Sequence, residues 1–234
     1  MGDFLKAAFW HDRWKNDQIG FHNEEVNERL TRHWPTLGIE EGAKVFVPLC
    51  GKSLDMHWLR QQGHPVLGVD LSPIAIHAFF SEAGITPSEE SEESEESEDS
   101  SGALTRSSAE GVELFCGDLF DLTEDDLSDI RACYDRGSLI ALPPDLRRRY
   151  AEHLSRVLPE RVTILLITLE YDQTKMGGPP HSVPPTEVED LFGGSFEVET
   201  LWSSGWIDAP QRFRDRGLEE RCDTVLRLDR RGRS

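Results

Sequence analysis

One run of residues, Lys44-Val-Phe-Val-Pro-Leu-Cys-Gly-Lys-Ser53, combines the pattern of a buried strand with a tight turn at Gly51. A helical pattern follows over about Ser53–Gln62, and a second apolar segment, residues 65–69, ends in Asp70. Two parallel strands joined by a helix form a right-handed crossover, and in open α/β sheets the ligand lies beyond the carboxyl ends of such strands. This order predicts a ligand site at the Gly51 turn.

The spacing within this unit indicates which ligand it takes. Asp70 follows Gly51 by 19 residues, close to the offset of about 20 at which an acid accepts hydrogen bonds from a ribose. A dinucleotide site requires G-x-G-x-x-G, and the isolated Gly51 argues against NAD and FAD. A phosphate loop requires G-x-x-x-x-G-K-[ST], but Phe46 occupies the position of its first glycine. A nucleoside ligand without phosphates remains, and S-adenosylmethionine fits that description.

The same residues also have a purely structural interpretation. Asp70 would then cap a helix that begins near Ser72, and Gly51 would only close a turn. The motif is short, so the residues of this unit alone leave both interpretations open.

Composition limits the class of protein. A chain of 234 residues with 37% hydrophobic residues is long enough for one large α/β domain. The net charge of −19 argues against a nucleic-acid partner, because such a surface repels phosphates. No apolar run reaches the roughly 18 to 20 residues of a membrane span, and the first residues lack the apolar core of a signal peptide, so we expect a cytoplasmic protein. The four cysteines and eight histidines show no metal-ligand or disulfide spacing, and no metal is expected.

Two segments stand apart from the expected sheet. Residues 1–34 are predicted to form an aromatic lid and a helix: Phe9–His22, here called the aromatic segment, carries two tryptophans and two phenylalanines, and the helix starts at Asn23. The aromatic segment could cover a sulfonium by cation–π attraction or simply hold the chain against the core. Residues 87–108, the acidic insert, contain mostly Ser and Glu and are predicted to be a disordered loop within the single domain 1–234.

The remaining apolar segments alternate with helical patterns and predict a doubly wound, mostly parallel sheet with helices on both faces. The last strand is expected to return antiparallel as a hairpin at one edge. Unusual residues follow the carboxyl end of each strand: Leu49–Gly51, Asp70, Gly117-Asp118, Asp135-Arg136 and the long loop Glu170–Val183, called the Gly/Pro loop below. Asp118 could accept a hydrogen bond from an adenine amino group or cap the segment Leu119–Leu122. Their convergence at one sheet edge favours a functional site.

Several motifs together resemble the thiopurine S-methyltransferases in their bacterial form. They cover nearly the whole chain outside the acidic insert, and they are Phe9–Trp14, Ile19–His22, Val47–Asp55, Leu67–Asp70, Tyr134–Gly137, Ala141–Pro144, Tyr171-Asp172 and Gly178–Pro180. The resemblance implies a Rossmann-like class I methyltransferase fold, S-adenosylmethionine as methyl donor, a sulfur or related nucleophile as acceptor, and a monomer.

The resemblance also implies which residues contact the cofactor: Trp10, Trp14, Phe21, Leu49, Gly51 at the turn, Asp70 at the ribose, Gly117 and Asp118 near the adenine, and Arg136. Family members usually carry Glu at the position of Asp70. The shorter Asp side chain would shift the ribose contact or recruit a water without abolishing it.

Catalysis by such an enzyme requires alignment of the nucleophile in a dry site. A guanidinium near a thiol favours its thiolate by opposite charge, and the candidates are Arg136 and Arg212. Arg214 and Arg216 lie close enough in the sequence to compete with Arg212 for this role. Asp12 is the candidate general base, with pairing to a neighbouring Arg or Lys as the alternative.

The sequence leaves several functions open. The acceptor would be a thiopurine or another thiol, or a selenium or tellurium oxyanion, and a thiocyanate or halide methyltransferase of the same fold is the first alternative. A phosphotransferase that uses Gly51-Lys52-Ser53 is a second, although Phe46 argues against it. The third is a nucleoside-binding interaction protein that uses the acidic insert as its contact surface.

Overall fold

A computed structural model describes residues 3–91 and 104–232. The α-helices are α1 (Asp3–Lys15), α2 (Glu28–His33), α3 (Leu54–Gln61), α4 (Pro73–Glu82), α5 (Pro144–Val157), α6 (Pro185–Phe192) and α7 (Gln211–Arg214). The strands are β1 (Lys44–Val47), β2 (Val66–Asp70), β3 (Ser88–Ser91), β4 (Thr105–Ala109), β5 (Val112–Cys116), β6 (Ile130–Arg136), β7 (Thr163–Glu170), β8 (Phe196–Asp208) and β9 (Glu220–Arg230). Three short 3-10 helices cover Trp34–Leu37, Leu119–Asp121 and Leu139–Ala141.

The chain divides into two compact units. The first unit comprises Met1–Glu28 and Glu40–Thr123, and the second comprises Arg29–Ile39 and Glu124–Ser234. Among the described residues, no helix has both the length and the apolar character needed to cross a bilayer.

The first unit is built on the predicted crossover. Strands β1, β2 and β5 are parallel, and β4 and β3 continue the sheet antiparallel in the order β3-β4-β5-β2-β1. Close packing at the sheet requires Gly68, because a Cβ there would lie 2.7 Å from Leu114 Cδ2 and 2.8 Å from Cys50 Sγ. Helix α3 begins after Ser53, whose hydroxyl accepts a hydrogen bond from Asp55 N at 3.3 Å. The strand, turn, helix and strand therefore lie where their sequence pattern predicts them.

In the second unit, parallel strands β6 and β7 are followed by two antiparallel strands in the order β6-β7-β9-β8. The most apolar run of the sequence forms β7, which is buried along most of its length. The last strand, β9, is antiparallel as predicted, but it lies between β7 and β8, so β8 forms the edge. The predicted antiparallel hairpin at one edge is therefore formed by β8 and β9, whose register shifts between Thr200 and Trp202 and between Ser203 and Trp206.

Part of the acidic insert is ordered, which corrects the prediction of a disordered loop over 87–108. Its two ends are β3 and β4, which pair with each other, and β4 pairs in turn with β5. Glu110 and Gly111 both have positive φ, 51° and 82°, the geometry of a tight hairpin turn between β4 and β5. Backbone hydrogen bonds join β3 to β4 and β4 to β5. The sequences of β3 and β4 show no hydrophobic pattern that would have predicted these strands. Residues 92–103 lie outside the described residues.

The helix predicted to start at Asn23 is shorter in the structure. Asn27 N donates to Asp55 Oδ1 at 2.8 Å, and the helix begins only at Glu28. Pro35 lies in the 3-10 helix that follows α2, where its missing N–H costs no helical hydrogen bond. The first half of the aromatic segment is helical, because α1 covers Asp3–Lys15. Helix α1 packs against α4.

Candidate active site

Asp70 joins two turns at the carboxyl ends of β1 and β2. Its Oδ2 accepts a hydrogen bond from Gly51 N at 2.9 Å, and its Oδ1 accepts one from Ser72 N at 2.9 Å. Asp70 therefore closes both turns, but it does not cap α4, because the N–H it binds belongs to Ser72, the N-cap residue of that helix. These two hydrogen bonds do not remove the ligand interpretation, because a carboxylate oxygen has two lone pairs and each oxygen of Asp70 can accept a further hydrogen bond.

The carboxyl group of Asp70 is buried, with 9% of the residue exposed. Burial raises the pKa of Asp70 from its ordinary value of 3.8 to about 6, although the two backbone N–H groups and the nearby His11 act in the opposite direction. Raised carboxyl pKa values are typical of binding and catalytic sites. Near neutral pH the group is ionised and is a strong hydrogen-bond acceptor at the end of β2.

Leu49 adopts a backbone conformation that is rare for its residue type. Its φ is +43°, in the left-handed region, and Cys50 N next to it donates to Val69 O at 2.9 Å. A leucine in this region costs on the order of 1 to 3 kcal/mol and persists only where surrounding contacts impose it. The strain falls in the turn where the sequence places the cofactor.

The aromatic side chains that were predicted to cover the cofactor form one cluster. Trp10 and Phe21 have ring centroids 5.6 Å apart in an edge-to-face arrangement, and Trp14 and Phe21 have the same separation. Trp14 packs directly on the glycine turn, since a Cβ at Gly51 would lie 3.2 Å from Trp14 Cζ2. Trp14 is 7% exposed, whereas Phe21 is 39% exposed. The cluster thus has one face against the turn and one face open.

This contact predicts the effect of a side chain at Gly51. We expect Gly51→Ala to weaken S-adenosylmethionine binding by about 1 to 2 kcal/mol, because the methyl group combines strain at φ +54° with displacement of Trp14. Gly42→Ala is the matched control: Gly42 has φ +81° and open space around it, so it carries the strain alone. Titration of both variants measures the difference, and equal affinities would show that Trp14 makes no contribution through the turn.

Gly117 and Asp118 follow β5. Gly117 N donates to Asp70 O at 3.0 Å, and a Cβ at Gly117 would lie 2.6 Å from Leu104 Cδ2, so the position requires glycine. Asp118 Oδ1 accepts from Phe120 N at 3.0 Å and caps the 3-10 helix Leu119–Asp121. One carboxylate oxygen of Asp118 therefore acts as the helix cap, which is the alternative role predicted for this residue. Its contact with adenine stays a prediction.

In the second unit, Asp135 fixes the turn that carries Arg136. Asp135 Oδ2 accepts from the hydroxyl of Tyr150 at 2.8 Å, and Oδ1 accepts from Leu139 N at 3.2 Å. Burial raises the pKa of Asp135, and these hydrogen bonds partly oppose that rise. Gly137 after Arg136 has φ +92°, which turns the chain away from β6. The hydrogen bond from Tyr150 was not predicted, because the sequence indicates only that Tyr150 lies on the buried face of α5.

The Gly/Pro loop is held by side chains from its own two ends. The hydroxyl of Tyr171 donates to Pro180 O at 2.6 Å. Gln173 Nε2 donates to Met176 O at 2.7 Å and to the Tyr171 hydroxyl at 2.9 Å, while its Oε1 accepts from Ser182 N at 2.8 Å. These hydrogen bonds fix the backbone conformation of the loop.

The three arginines near α7 differ in what their guanidinium groups contact. Arg216 donates to Pro179 O at 3.2 Å and also to Gly177 O, so it clamps the Gly/Pro loop. Arg214 donates to Ala209 O at 2.8 Å and to Gln211 Oε1 at 2.9 Å. Arg212 is exposed, and its guanidinium lies 5.0 Å from the ring of Phe213. Arg212 stays the proposed acceptor-facing arginine.

Asp12, the candidate general base, lies on α1. Its side chain is exposed, and its backbone carbonyl accepts from Asn16 Nδ2 at 2.7 Å. Its role in proton transfer stays a prediction.

The fold is similar to those of solved S-adenosylmethionine-dependent methyltransferases. A SAM-dependent methyltransferase from Anabaena variabilis matches with a TM-score of 0.64 at 15% identity, covering 96% of this chain and 95% of that chain. A 1,6-didemethyltoxoflavin-N1-methyltransferase from Burkholderia thailandensis, solved with S-adenosylhomocysteine, matches with a TM-score of 0.62 at 16% identity, covering 98% and 88%. The predicted Rossmann-like class I methyltransferase fold is confirmed.

Sequence relatives define the family within that class. The model of the thiopurine S-methyltransferase family matches residues 5–231. A thiopurine S-methyltransferase from Nitrosospira multiformis is 43% identical over 224 residues, covering 96% of this chain and 98% of that protein. One from Azotobacter vinelandii is 45% identical over 227 residues, covering 97% and 100%. The chain belongs to the thiopurine S-methyltransferase family and is an S-adenosylmethionine-dependent methyltransferase. This membership argues against the phosphotransferase and interaction-protein alternatives.

Proposed function

We propose that this enzyme transfers a methyl group from S-adenosylmethionine to the sulfur of thiopurines or related thiols, with selenium and tellurium oxyanions as a second acceptor class. The observation that carries the proposal is the family match over residues 5–231, together with relatives of that name along nearly the whole chain. The solved methyltransferases contribute only the fold, because their identities are low.

The residues at the Gly51 turn fit the cofactor. The buried carboxylate of Asp70 can accept hydrogen bonds from ribose hydroxyls while it holds two backbone N–H groups. Trp10, Trp14 and Phe21 can cover a sulfonium with aromatic faces and exclude water. Leu49, Gly117, Asp118 and Arg136 are proposed to complete the contacts.

Bound S-adenosylmethionine supplies an already activated methyl group on its sulfonium sulfur. The protein has to hold the acceptor in line with that methyl and keep water out. Arg136 and Arg212 are proposed to favour the thiolate form of the acceptor by opposite charge. Asp12 is the candidate general base predicted from the sequence, and the Gly/Pro loop offers a second candidate for that role.

The arginine assignments predict unequal effects on turnover. We expect Arg136→Ala to lower kcat at least about tenfold, or ~1.4 kcal/mol in activation free energy, because it removes a charge proposed to contact the reacting groups. Arg216→Ala should lower kcat less, since Arg216 donates to loop carbonyls at Gly177 and Pro179. Steady-state kinetics with a thiopurine compare the two, and equal losses would refute this placing of the acceptor.

A panel of acceptors tests the proposed function. The purified chain is incubated with S-adenosylmethionine carrying a deuterated methyl group and, separately, with a thiopurine, selenite, thiocyanate or iodide, and products are identified by mass spectrometry. We expect labelled methyl on the thiopurine sulfur with an equal amount of S-adenosylhomocysteine. Methylation of thiocyanate or iodide alone would replace the proposal by the thiocyanate or halide alternative.

We also propose that the enzyme is a single methyltransferase domain that acts as a monomer in the cytoplasm without a nucleic-acid partner. The support is the family match along one chain and the net charge of −19, which opposes binding to phosphate backbones. Light scattering coupled to size exclusion tests the oligomeric state: a mass near 26.5 kDa is expected, and twice that mass would refute the monomer.

A further inference from the structure

His181 is a titratable residue of the Gly/Pro loop, and the backbone is held by hydrogen bonds on both sides of it. His181 N donates to Ile140 O at 2.6 Å. The preceding carbonyl, of Pro180, accepts from Tyr171, and the following residue, Ser182, donates its N–H to Gln173 and accepts from Arg147 Nη1 at 3.1 Å. The imidazole is therefore attached to a well-positioned point of the loop.

The imidazole of His181 lies against Gly178. A Cβ at Gly178 would be only 2.2 Å from His181 Nδ1, so glycine is required for the ring to occupy this place. The side chain is half-buried, and no residue described by the structure forms a hydrogen bond with either ring nitrogen. Both nitrogens thus keep their hydrogen-bonding capacity for a ligand or for water.

The charges around His181 favour its neutral form. Burial lowers the pKa of His181, and Arg147 of α5 lowers it further. Arg147 itself pairs with Glu187 of α6 at 2.6 Å. Tyr171, another titratable residue of the loop, has a pKa raised by burial and is uncharged near neutral pH. A neutral imidazole has one nitrogen lone pair that can take up a proton.

We propose that His181 is the general base that accepts the proton of the acceptor thiol, which rests on the proposed function of thiol methylation. As the thiol S–H proton passes to the imidazole, the sulfur lone pair forms the new bond to the methyl carbon. The bond between that carbon and the sulfonium sulfur breaks, and its electron pair stays on that sulfur. The imidazolium then releases its proton to water.

His181 suits this step better than Asp12. Imidazole is the side chain whose charge changes near neutral pH, which suits it to take up a proton under working conditions. Asp12 is exposed to water, while His181 is half-buried and lies within the electrostatic influence of the cation Arg147.

The test compares two acceptors that differ in their need for a base. One is an alkyl thiol, mostly protonated at pH 7, and the other is a nitro-substituted thiophenol that is ionised across the pH range used. His181→Gln is expected to lower kcat/KM for the alkyl thiol at least about tenfold at pH 7, a modest share of what general bases contribute. For the ionised thiophenol, kcat/KM should stay within about twofold.

The pH profile gives a second readout. With His181 as base, kcat/KM for the alkyl thiol is expected to be flat from pH 7 to about 8.5, because over this range the imidazole is already neutral and the thiol is still mostly protonated. In His181→Gln, the same quantity should rise about tenfold per pH unit, in step with the free thiolate. A flat profile in the variant would overturn the proposal.

Two glycine variants test the position of the ring without removing it. Gly178→Ala must displace the imidazole and should reproduce the selective loss with the alkyl thiol. Gly177→Ala is the matched control, since nothing lies within 4 Å of a Cβ at that position, and it should keep the wild-type profile. Equal losses with both acceptors in His181→Gln would mean that His181 only packs the loop, and no loss with either would exclude it as the base.

The inference and the proposed function fail in different ways. If wild-type enzyme binds S-adenosylhomocysteine but methylates neither thiol, the proposed function is wrong and the inference with it. If wild-type enzyme methylates both thiols and the variants do not discriminate between them, only the role of His181 is wrong.

Discussion

Asp70→Ala is expected to weaken S-adenosylmethionine binding by about 2 to 3 kcal/mol, on the order of 100-fold. The substitution leaves the N–H groups of Gly51 and Ser72 without their acceptor, which costs folding stability and loosens the two turns that form the site. It also removes the charge-assisted hydrogen bond proposed for the ribose. Calorimetric titration with S-adenosylhomocysteine measures the change.

Two further variants serve as comparisons for Asp70→Ala. Asp70→Asn keeps one acceptor oxygen and should lose about half as much binding free energy. Glu82→Gln removes an acid of the same unit that is largely exposed and pairs with Lys52 at 2.6 Å, so it should change affinity by less than about 0.5 kcal/mol. An unchanged dissociation constant in Asp70→Ala would mean that the ribose is held elsewhere.

The raised pKa of Asp70 also predicts a pH dependence. Burial raises this pKa from 3.8 to about 6, so the folded state holds the proton more tightly than the unfolded state does. The stability that the protonated group contributes is fully present below about pH 4 and is lost as the pH rises to about 6, a change of about 3 kcal/mol. Cofactor binding should change in the opposite sense, because the carboxylate is the better acceptor above pH 6.

The pH dependence is measured as the difference in unfolding free energy between the wild type and Asp70→Asn at pH 4 and pH 7, because Asn does not titrate. A difference that is the same at both pH values would show that Asp70 has an ordinary pKa in the folded protein.

Arg147→Met is expected to lower the free energy of unfolding by about 2 to 3 kcal/mol. Arg147 is 2% exposed, and its guanidinium donates to Glu187 at 2.6 Å and to Ser182 O at 3.1 Å. Loss of one partner from a buried ion pair costs about 3 to 5 kcal/mol, and the lower figure applies here because the Glu187 side chain is 31% exposed. Urea unfolding followed by circular dichroism measures the change.

Arg148→Met is the control for this variant. Arg148 is the next residue of α5 and is exposed, so its loss should cost less than about 0.5 kcal/mol. Equal costs would mean that the ion pair adds nothing beyond the general effect of removing an arginine. Arg147→Met should also raise the pKa of His181 toward its ordinary value, because one of the two causes that lower it is gone.

The parts of the fold predicted correctly depend on short-range pattern. The order strand, Gly51 turn, helix and strand follows from apolar periodicity and from one glycine, all within about 25 residues. The same pattern placed β7 and α5. The strands at the ends of the acidic insert were not predicted, because β3 and β4 form through backbone hydrogen bonds to a neighbouring strand. Such hydrogen bonds do not depend on the types of side chain in the sequence.

In the candidate site, too, short-range pattern predicted some features, and others depend on the fold. The sequence identified Asp70 and Arg136 by their positions after strands, but it did not show that Asp70 binds two backbone N–H groups. It also did not separate Arg212, Arg214 and Arg216, which are evenly spaced. Their roles depend on carbonyls that only the fold brings near, 37 and 39 residues away in the case of Arg216.

Titration of the purified chain with S-adenosylmethionine, S-adenosylhomocysteine and ATP tests most directly whether the Gly51 turn and Asp70 form a nucleoside site without a phosphate cradle. We predict saturable binding of the first two ligands, one per chain, and no binding of ATP. Binding of ATP without either of the other two would contradict the account and would return attention to Lys52 and Ser53.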